Sequence, residues 1–411
     1  MGKFTGYLIV SDLDGTLLNE EHKVSEKNAE AIRYFIKNGG RFTVATGRIR
    51  EEVVPFLDEL IMNVPAIVSN GGMIYDFNSD FMIMERFLPH HIEWFTSKIM
   101  ENFPELGVMV VAKGEVVMIR ENEIFLADPD LYRTFTLPKK QLSELGESWG
   151  KVLFSLKEEK VPELEAYLRS QTSDVEIVQS YQTTLELLPK GVSKGEALEF
   201  VIRGLRANRD KVFVLGDNMN DYAMLETVPN GWCVENANPR LKEIAKKVMP
   251  PHTESAVAAM IDEVEQIVDQ RQLADQEMAM NYLKENDCTL VFVKNGQVIY
   301  ESHKKGIRPM YEALNAEVNL KGAVLADRVI GRAAAMLALS AGIRSIHTFL
   351  VSQSALEVCQ EKGFEKIAYE EVSPYVMNRT QDDLCPIEKL SQGTEDPVEL
   401  MDRITEFLKG L

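Results

Sequence analysis

The spacing of apolar residues changes several times along this chain, and each change predicts a different element. Residues 8–10 are an unbroken apolar run, the mark of a strand covered on both faces, and a carboxylate, Asp12, stands where that run surfaces. Between residues 25 and 38 the apolar positions Ala29, Ile32, Phe35 and Ile36 return at helical intervals, and Gly39-Gly40 supplies a stop. Residues 41–45 read as a second buried strand, a helix follows to about Ile61, and residues 66–69 form a third strand. Strands alternating with helices in this way predict a parallel sheet with crossover helices.

Past Met73 the pattern becomes local. Residues 108–111 and 116–119 are apolar runs at hairpin spacing. Further strand-like runs at 152–156, 175–179 and 184–188 alternate with helical stretches near 91–102 and 161–170. Residues 82–185 therefore read as an inserted α+β domain. The parallel signature then resumes with a helix at 194–205 and strands at 211–215 and 231–234, so the first domain is discontinuous, 1–81 and 186–268. A long helical stretch, about 253–284, carries the chain onward. Strands at 289–293 and 297–301 flank Lys294-Asn295-Gly296, a strong hairpin signal. Helix 310–318, strand 322–326, helix 329–341, strand 345–351 and helix 353–363 follow, which makes residues 286–411 a separate α/β/α sandwich. The fold class expected is α/β.

Length and composition narrow the function. A chain of 411 residues implies two or three domains. A formal charge of −19 argues against nucleic acid or an anionic membrane surface as partner. An anionic small substrate remains compatible if a metal and a Lys or Arg reverse the sign locally. The four cysteines, Cys233, Cys288, Cys359 and Cys385, form no CxxC pair, so free or buried thiols in a reducing compartment are expected. With no secretory signal and no apolar run long enough to span a bilayer, the expected location is the cytoplasm.

The chemistry gathers at strand ends. Strands that look buried on both faces end in Asp12, Thr46, Asn70 and Asp217, and open parallel sheets bind ligands beyond those ends. If the chain stays extended past Asp12, then Asp12 and Asp14 share one side while Leu13 returns to the core and Gly15 lets the backbone turn away. Two carboxylates so placed call for a hard cation with oxygen ligands, of which Mg²⁺ is the usual one.

Four stretches carry a family resemblance. Asp12-Leu13-Asp14-Gly15-Thr16-Leu17 resembles the first motif, DxDGT[LV], of the haloacid dehalogenase superfamily. Thr46 matches the Ser/Thr of the second motif, Lys194 in Gly191-Val192-Ser193-Lys194-Gly195 the third, and Gly216-Asp217-Asn218-Met219-Asn220-Asp221 the fourth. The order, with an insertion between the second and third motifs, is similar to the Cof-type sugar-phosphate phosphatases over residues 5 to 265. That resemblance implies a Rossmann-like core with an inserted cap. Asp12 would attack phosphorus and Asp14 serve as general acid and base. Mg²⁺ would be held by Asp12, the carbonyl of Asp14 and Asp217, with Asp221 acting through water or by orienting its neighbours. The Thr46 hydroxyl and the Gly47 amide are donors for phosphoryl oxygens, Asn220 would reach the phosphate, and Lys194 would neutralise nucleophile and phosphate together. Ser69-Asn70-Gly71-Gly72 replaces the more usual NGA, and Met224 ends a DxxM in which Ile is absent.

The resemblance implies a phosphatase of small phosphorylated metabolites, with a phosphomutase and a non-enzymatic phospho-ligand sensor as the rival readings. Substrate choice would lie with the cap, Asn70 and Arg48. For Arg48 two roles are open, contact with a second anionic group or a structural ion pair. His90 and His91 read as surface residues. The C-terminal segment resembles a small uncharacterised family with a cytidine-deaminase-like fold, on Gly331-Arg332-Ala333-Ala334-Ala335, Ala341-Gly342, Asn378-Arg379 and Cys385-Pro386-Ile387-Glu388. It lacks the HxE and PCxxC of a zinc deaminase, so binding a ligand or packing in a homo-oligomer is expected of it rather than deamination. Cys385 and Glu388 would line a pocket or be a buried thiol and a helix-start acid.

Overall fold

The computed structural model describes residues 2–58, 60–112, 114–127, 137–378, 380 and 382–410; Arg379 of the C-terminal motif lies outside the described residues. The chain divides into two compact units, residues 2–264 and 265–411.

In the first unit β1 (Leu8–Ser11) is buried along its whole length and pairs in parallel with β2 (Arg41–Val44), Leu8 opposite Arg41. The helix Glu26–Lys37 between them is capped by Ser25, whose hydroxyl accepts from the Asn28 N–H at 3.2 Å, and it buries Ala29, Ile32 and Phe35. Asn28 is itself fully buried and satisfied at both ends, donating to the Leu17 carbonyl at 3.1 Å and accepting from the Ala258 N–H at 2.9 Å. The helix expected to reach Ile61 is much shorter. It spans Arg50–Val53 and closes in a 3₁₀ turn, Val54–Phe56, because Pro55 has no N–H to continue an α-helical ladder. β3 (Ala66–Val68) joins the parallel sheet only by a bridge from Ala45 to Ile67 and then folds back, antiparallel, through β4 (Met73–Asp76) and β5 (Phe81–Glu85).

β6 (Gly107–Ala112), β7 (Glu115–Arg120), β8 (Trp149–Ser155), β9 (Val175–Tyr181) and β10 (Thr184–Pro189) form a second sheet, order β7-β6-β8-β10-β9, antiparallel throughout. The helices Ile92–Asn102 and Val161–Gln171 cover one face, packing Phe95, Ile99 and Leu164 on Val152, Phe154 and Leu185. Side chains alternate along a strand, so Lys151 and Glu186 project from the opposite face, where Phe125 of the short helix Glu123–Ala127 packs with Met109, Met118 and Leu153.

β11 (Val212–Gly216), β12 (Asn230–Val234) and β13 (Lys247–Met249) complete the parallel sheet, order β13-β12-β11-β1-β2. The helix Lys194–Leu205 leads into β11, and Ser193 caps it by accepting from the Glu196 N–H at 3.1 Å. It crosses the helix Tyr222–Thr227 closely at Gly195, where an added Cβ would lie 2.5 Å from the Ala223 carbonyl oxygen.

The second unit opens with the hairpin β14 (Leu290–Lys294) and β15 (Gln297–Ser302), whose Asn295 and Gly296 have φ of +53° and +73°, as a type I′ turn requires. β16 (Val324–Ile330), β17 (Ser345–Ser352) and β18 (Ile367–Ser373) run parallel, and β14 joins β16 antiparallel, order β15-β14-β16-β17-β18. The helices Arg332–Ser340, Gln353–Glu361 and Pro397–Lys409 pack on one face, and Ala279 and Leu283 of the long helix Ala256–Glu285 on the other. The strand expected to stop at Ala326 runs on to Ile330, since Val329 and Ile330 are β-branched and Gly331 caps the helix that follows. Among the described residues no helix is long and apolar enough to cross a membrane.

The approach at Gly195 places Lys194, so a methyl group there is expected to be felt twice. Gly195→Ala should destabilise by about 1–3 kcal/mol, an overpacking effect, and reduce activity by displacing the ammonium. A variant with the parent's melting temperature would show that the helices can part without cost.

Candidate active site

Asp12 leaves β1 with its N–H bound to the Leu215 carbonyl at 2.9 Å; the chain does not stay extended as expected but enters a helical turn, Leu13–Leu17, in which Asp14 departs from helical angles at φ −75° and ψ 124°. Gly15 then turns at φ +73°, packed so closely that a Cβ would lie 2.6 Å from Asp217 Oδ2. Only glycine lets the two acidic loops meet.

Lys194 Nζ is fully buried and donates to Asp12 Oδ1 and to Asp221 Oδ1, both at 2.6 Å. Asp221 is fully buried as well, and its Oδ2 accepts from the N–H groups of Asp217 at 2.9 Å and Asn218 at 3.1 Å. With both oxygens held, Asp221 orients Lys194 and the loop that carries Asp217. One oxygen each from Asp12, Asp217 and Asp221 lies within 4.8 Å of the others. Thr16 makes a long bond of 3.4 Å to Asp217 Oδ1.

The charges do not balance. Burial raises the Asp12 carboxyl well above the usual range; Lys194 opposes this, and Asp221, Asp217 and Asp14 add to it. Burial and then Asp221 push Asp217 up to about 7. Burial would lower the Lys194 ammonium, but Asp12 and Asp221 outweigh it, so its pKa is raised and it stays charged. These shifts agree on one point: one ammonium faces three carboxylates, and the excess is negative.

Asp14 is gripped by Arg48, whose Nε donates to Oδ2 at 2.8 Å and whose second nitrogen donates to Oδ1 at 2.6 Å. Of the two roles open to Arg48, this is an ion pair, and its guanidinium also stands 5.0 Å from the Phe56 ring centroid. Thr46 is buried, and its Oγ1 accepts from the Arg48 N–H at 3.1 Å. That leaves the hydroxyl proton to point elsewhere. Asn70, at φ +53°, accepts from Asn220 Nδ2 at 3.0 Å, so the Asn220 donor is held by a neighbour while its buried Oδ1 has no partner among the described residues.

The sequence reading missed three acidic or basic residues beside these. Lys151 and Glu186 reach in from the cap sheet, Lys151 Nζ donating to the Gly47 carbonyl at 2.9 Å and Glu186 Oε2 accepting from Asn70 Nδ2 at 2.8 Å. Glu52 accepts from the Ile49 N–H at 2.8 Å and is held above its usual pKa by burial, against the pull of Lys151. The available signal was a charge inside an otherwise apolar strand, Lys151 before Val-Leu-Phe and Glu186 within Leu-Glu-Leu-Leu. In the second unit Glu388 is buried and caps the helix Arg332–Ser340, accepting from the Arg332 N–H at 3.2 Å and from the Ser354 hydroxyl. Cys385 is half-buried, the other three thiols are buried, and His90 and His91 are exposed.

A family model for haloacid dehalogenase-like hydrolases matches residues 9–261, and one for a domain of unknown function, DUF1893, matches residues 278–408. The chain is 30% identical over 246 residues to an HMP-PP phosphatase of Serratia proteamaculans, covering 58% of this chain and 86% of that one. It is 29% identical over 259 residues to a 5-amino-6-(5-phospho-D-ribitylamino)uracil phosphatase of Bacillus subtilis, 62% and 94% covered. A solved haloacid dehalogenase-like hydrolase from Bacteroides thetaiotaomicron matches with a TM-score of 0.54 at 26% identity, over 63% of this chain and 99% of that one. A subclass IIB sugar phosphatase of the superfamily shares the fold, with a TM-score of 0.56 at 20% identity, over 62% and 98%. With its four motifs brought to one sheet edge and well over half its length matched, the chain belongs to the haloacid dehalogenase-like hydrolases, as a Cof-type phosphatase.

Proposed function

We propose that the protein is a Mg²⁺-dependent phosphatase that hydrolyses small phosphorylated metabolites, in particular sugar or polyol phosphates, through an aspartyl phosphate on Asp12. The observation that carries this reading is the buried Lys194 ammonium 2.6 Å from Asp12, with Asp14 two residues on in the turn that follows. A phosphomutase is compatible with the same residues. A sensor would have no use for an acid at Asp14.

The residues fit a divalent metal. Their donor set is all oxygen and crowded within 4.8 Å, it carries more negative charge than Lys194 offsets, and a hard cation suits it. Asp12, Asp217 and the carbonyl of Asp14 would hold it, with Asp221 in support. When bound, Mg²⁺ supplies positive charge against the carboxylates and the phosphoryl oxygens.

Asp12 then attacks phosphorus in line, while Lys194, the Thr46 hydroxyl and the Gly47 amide take up charge on the phosphoryl oxygens. Asp14 protonates the leaving oxygen and later takes a proton from the water that hydrolyses the aspartyl phosphate. Arg48 holds both Asp14 oxygens and so fixes the orientation of the carboxyl group for these transfers.

The leaving group follows from the same charges. Arg48 is paired with Asp14 and Lys151 with Glu186, so both of these cations are already partnered by carboxylates. A neutral leaving group rich in hydroxyls suits that wall better than a second phosphate. Among the relatives, one is named for a phosphoribityl compound and one for HMP-PP.

For the C-terminal unit the cytidine-deaminase-like reading is supported by a hairpin followed by three parallel strands with helices on both faces. Glu388 is committed to the Arg332 amide and the Ser354 hydroxyl, which favours ligand binding or packing in a homo-oligomer over deamination. Free thiols at all four cysteines suit a reducing, cytoplasmic setting.

Two experiments test the core of this reading. Phosphate release from a panel of sugar, polyol and nucleoside phosphates and pyridoxal phosphate should require Mg²⁺, and Asp12→Asn should abolish it. Asp14→Asn should cost about 10²–10⁴ in rate. Folded, Mg²⁺-loaded protein that releases no phosphate from any compound would refute hydrolysis, and isomerised substrate in its place would establish the mutase.

Stability should depend on pH in a direction set by Asp217. Its folded pKa of about 7 lies above the ordinary 3.8, so the folded chain binds more protons between those values. That contribution is full below pH 3.8 and is lost as pH rises through 7. Thermal melts of metal-free protein should therefore fall between pH 5 and pH 8, relative to protein in saturating Mg²⁺. Parallel curves with and without Mg²⁺ would contradict the assignment of Asp217 to the metal.

A further inference from the structure

The cap lends the site two charged side chains that serve the core more than the cap. Lys151 on β8 is 4% exposed and Glu186 on β10 is 3% exposed. They pair with each other at 3.1 Å on the face of the cap sheet opposite the helices Ile92–Asn102 and Val161–Gln171. A buried ion pair is a poor way to stabilise a sheet, because desolvation consumes most of its attraction and apolar residues of similar size hold as well or better. What the two charges add is direction. Each makes one further bond, and both bonds leave the cap.

Lys151 Nζ donates to the carbonyl oxygen of Gly47 at 2.9 Å. That carbonyl belongs to the same planar peptide unit as the Arg48 N–H, which donates to Thr46 Oγ1 at 3.1 Å. The peptide is thus held from both sides, by the cap at its oxygen and by Thr46 at its hydrogen. Since Thr46 Oγ1 is an acceptor there, its own proton faces away and is free for a phosphoryl oxygen. Glu186 works in parallel. Its Oε2 accepts from Asn70 Nδ2 at 2.8 Å, and Asn70 Oδ1 in turn accepts from Asn220 Nδ2 at 3.0 Å, in the loop between Asp217 and Asp221. The two core loops are also joined directly, Asn70 N–H to the Thr46 carbonyl at 2.9 Å and Ser69 N–H to the Arg48 carbonyl at 2.8 Å.

We propose that Lys151 and Glu186 are positioning residues that couple closure of the cap to alignment of the phosphate-binding donors, Lys151 through the Gly47–Arg48 peptide to Thr46, and Glu186 through Asn70 to Asn220. The proposal rests on the phosphatase reading of the site. It makes the cap a participant in phosphate binding as well as a cover over the leaving group.

The test uses the full chain with Lys151→Met and Glu186→Leu combined, an apolar replacement that keeps the volume of the pair and leaves the cap's own core untouched. Glu186→Gln, which keeps an acceptor for Asn70, is the milder second variant should the double one fold poorly. Calorimetry with inorganic phosphate in Mg²⁺ reads the donors without any turnover, so it reports even if no substrate is found. The expected result is a melting temperature within a few degrees of the parent, phosphate affinity about tenfold weaker, and kcat/KM lower by about 10–100-fold, the scale of a slightly misplaced site. The loss should be equal for p-nitrophenyl phosphate and for a sugar phosphate, because the donors grip the phosphoryl group that both share. Unchanged phosphate affinity overturns the proposal. So does a loss confined to the sugar phosphate, which would make the pair a leaving-group contact. Failure of the parent to release phosphate, with the affinity shift present, would instead count against hydrolysis and leave the coupling standing.

Discussion

A single buried ammonium organises the first unit. Lys194 is fully enclosed, and a cation in that position without partners would cost far more than folding can supply. It is tolerable because Asp12 and Asp221 each meet it at 2.6 Å, from points 182 and 27 residues away along the chain. Those two bonds join the end of β1, the start of a helix and the loop after β11. The tight crossing at Gly195, the two amides that hold Asp221 and the turn at Gly15 can all be understood as conditions for that contact. Removing any one partner would leave a buried charge unmatched, which is why the geometry admits so little variation.

The same constraint reappears where the cap meets the core. Lys151 and Glu186 stand in strands that are otherwise apolar, and each finds its second partner outside the cap. In both places buried charge specifies which segments must come together, while the apolar cores supply most of the stability. The inserted domain is therefore tied to the parallel sheet by directed polar bonds at the mouth of the site. Such bonds are easier to break and remake than a packed core.

Much of the site was readable in advance because its chemistry is local. A strand that ends in a carboxylate, followed by a second carboxylate two residues on and a glycine, marks the site, although the chain does not stay extended past Asp12 but enters a helical turn at Leu13. The turn at Asn295-Gly296 was legible for the same reason, since two positive φ angles demand those residues. What depended on distant partners was not. Arg48 looked equally suited to an anionic substrate or to an ion pair, and only the fold brings Asp14, 34 residues away, within its reach. Lys151 and Glu186 gave no motif at all. The helix after Arg48 was overextended because apolar periodicity was read past Pro55. β18 was missed because it is an edge strand with both faces largely open to solvent, so nothing imposes alternation on it.

The site's excess of negative charge and its need to receive an anion are two aspects of one design. Asp12, Asp14 and Asp217 would repel a phosphate dianion, and the nearby cations each stand against a carboxylate: Lys194 against Asp12, Arg48 against Asp14, Lys151 against Glu186. Each is already fixed by a carboxylate rather than by water. A phosphoryl group arriving among them meets charges and dipoles that have little left to reorganise, which is the condition under which electrostatic stabilisation of a transition state is most effective. The carboxylates that make the site look hostile to phosphate are thus the struts that hold its cations in place.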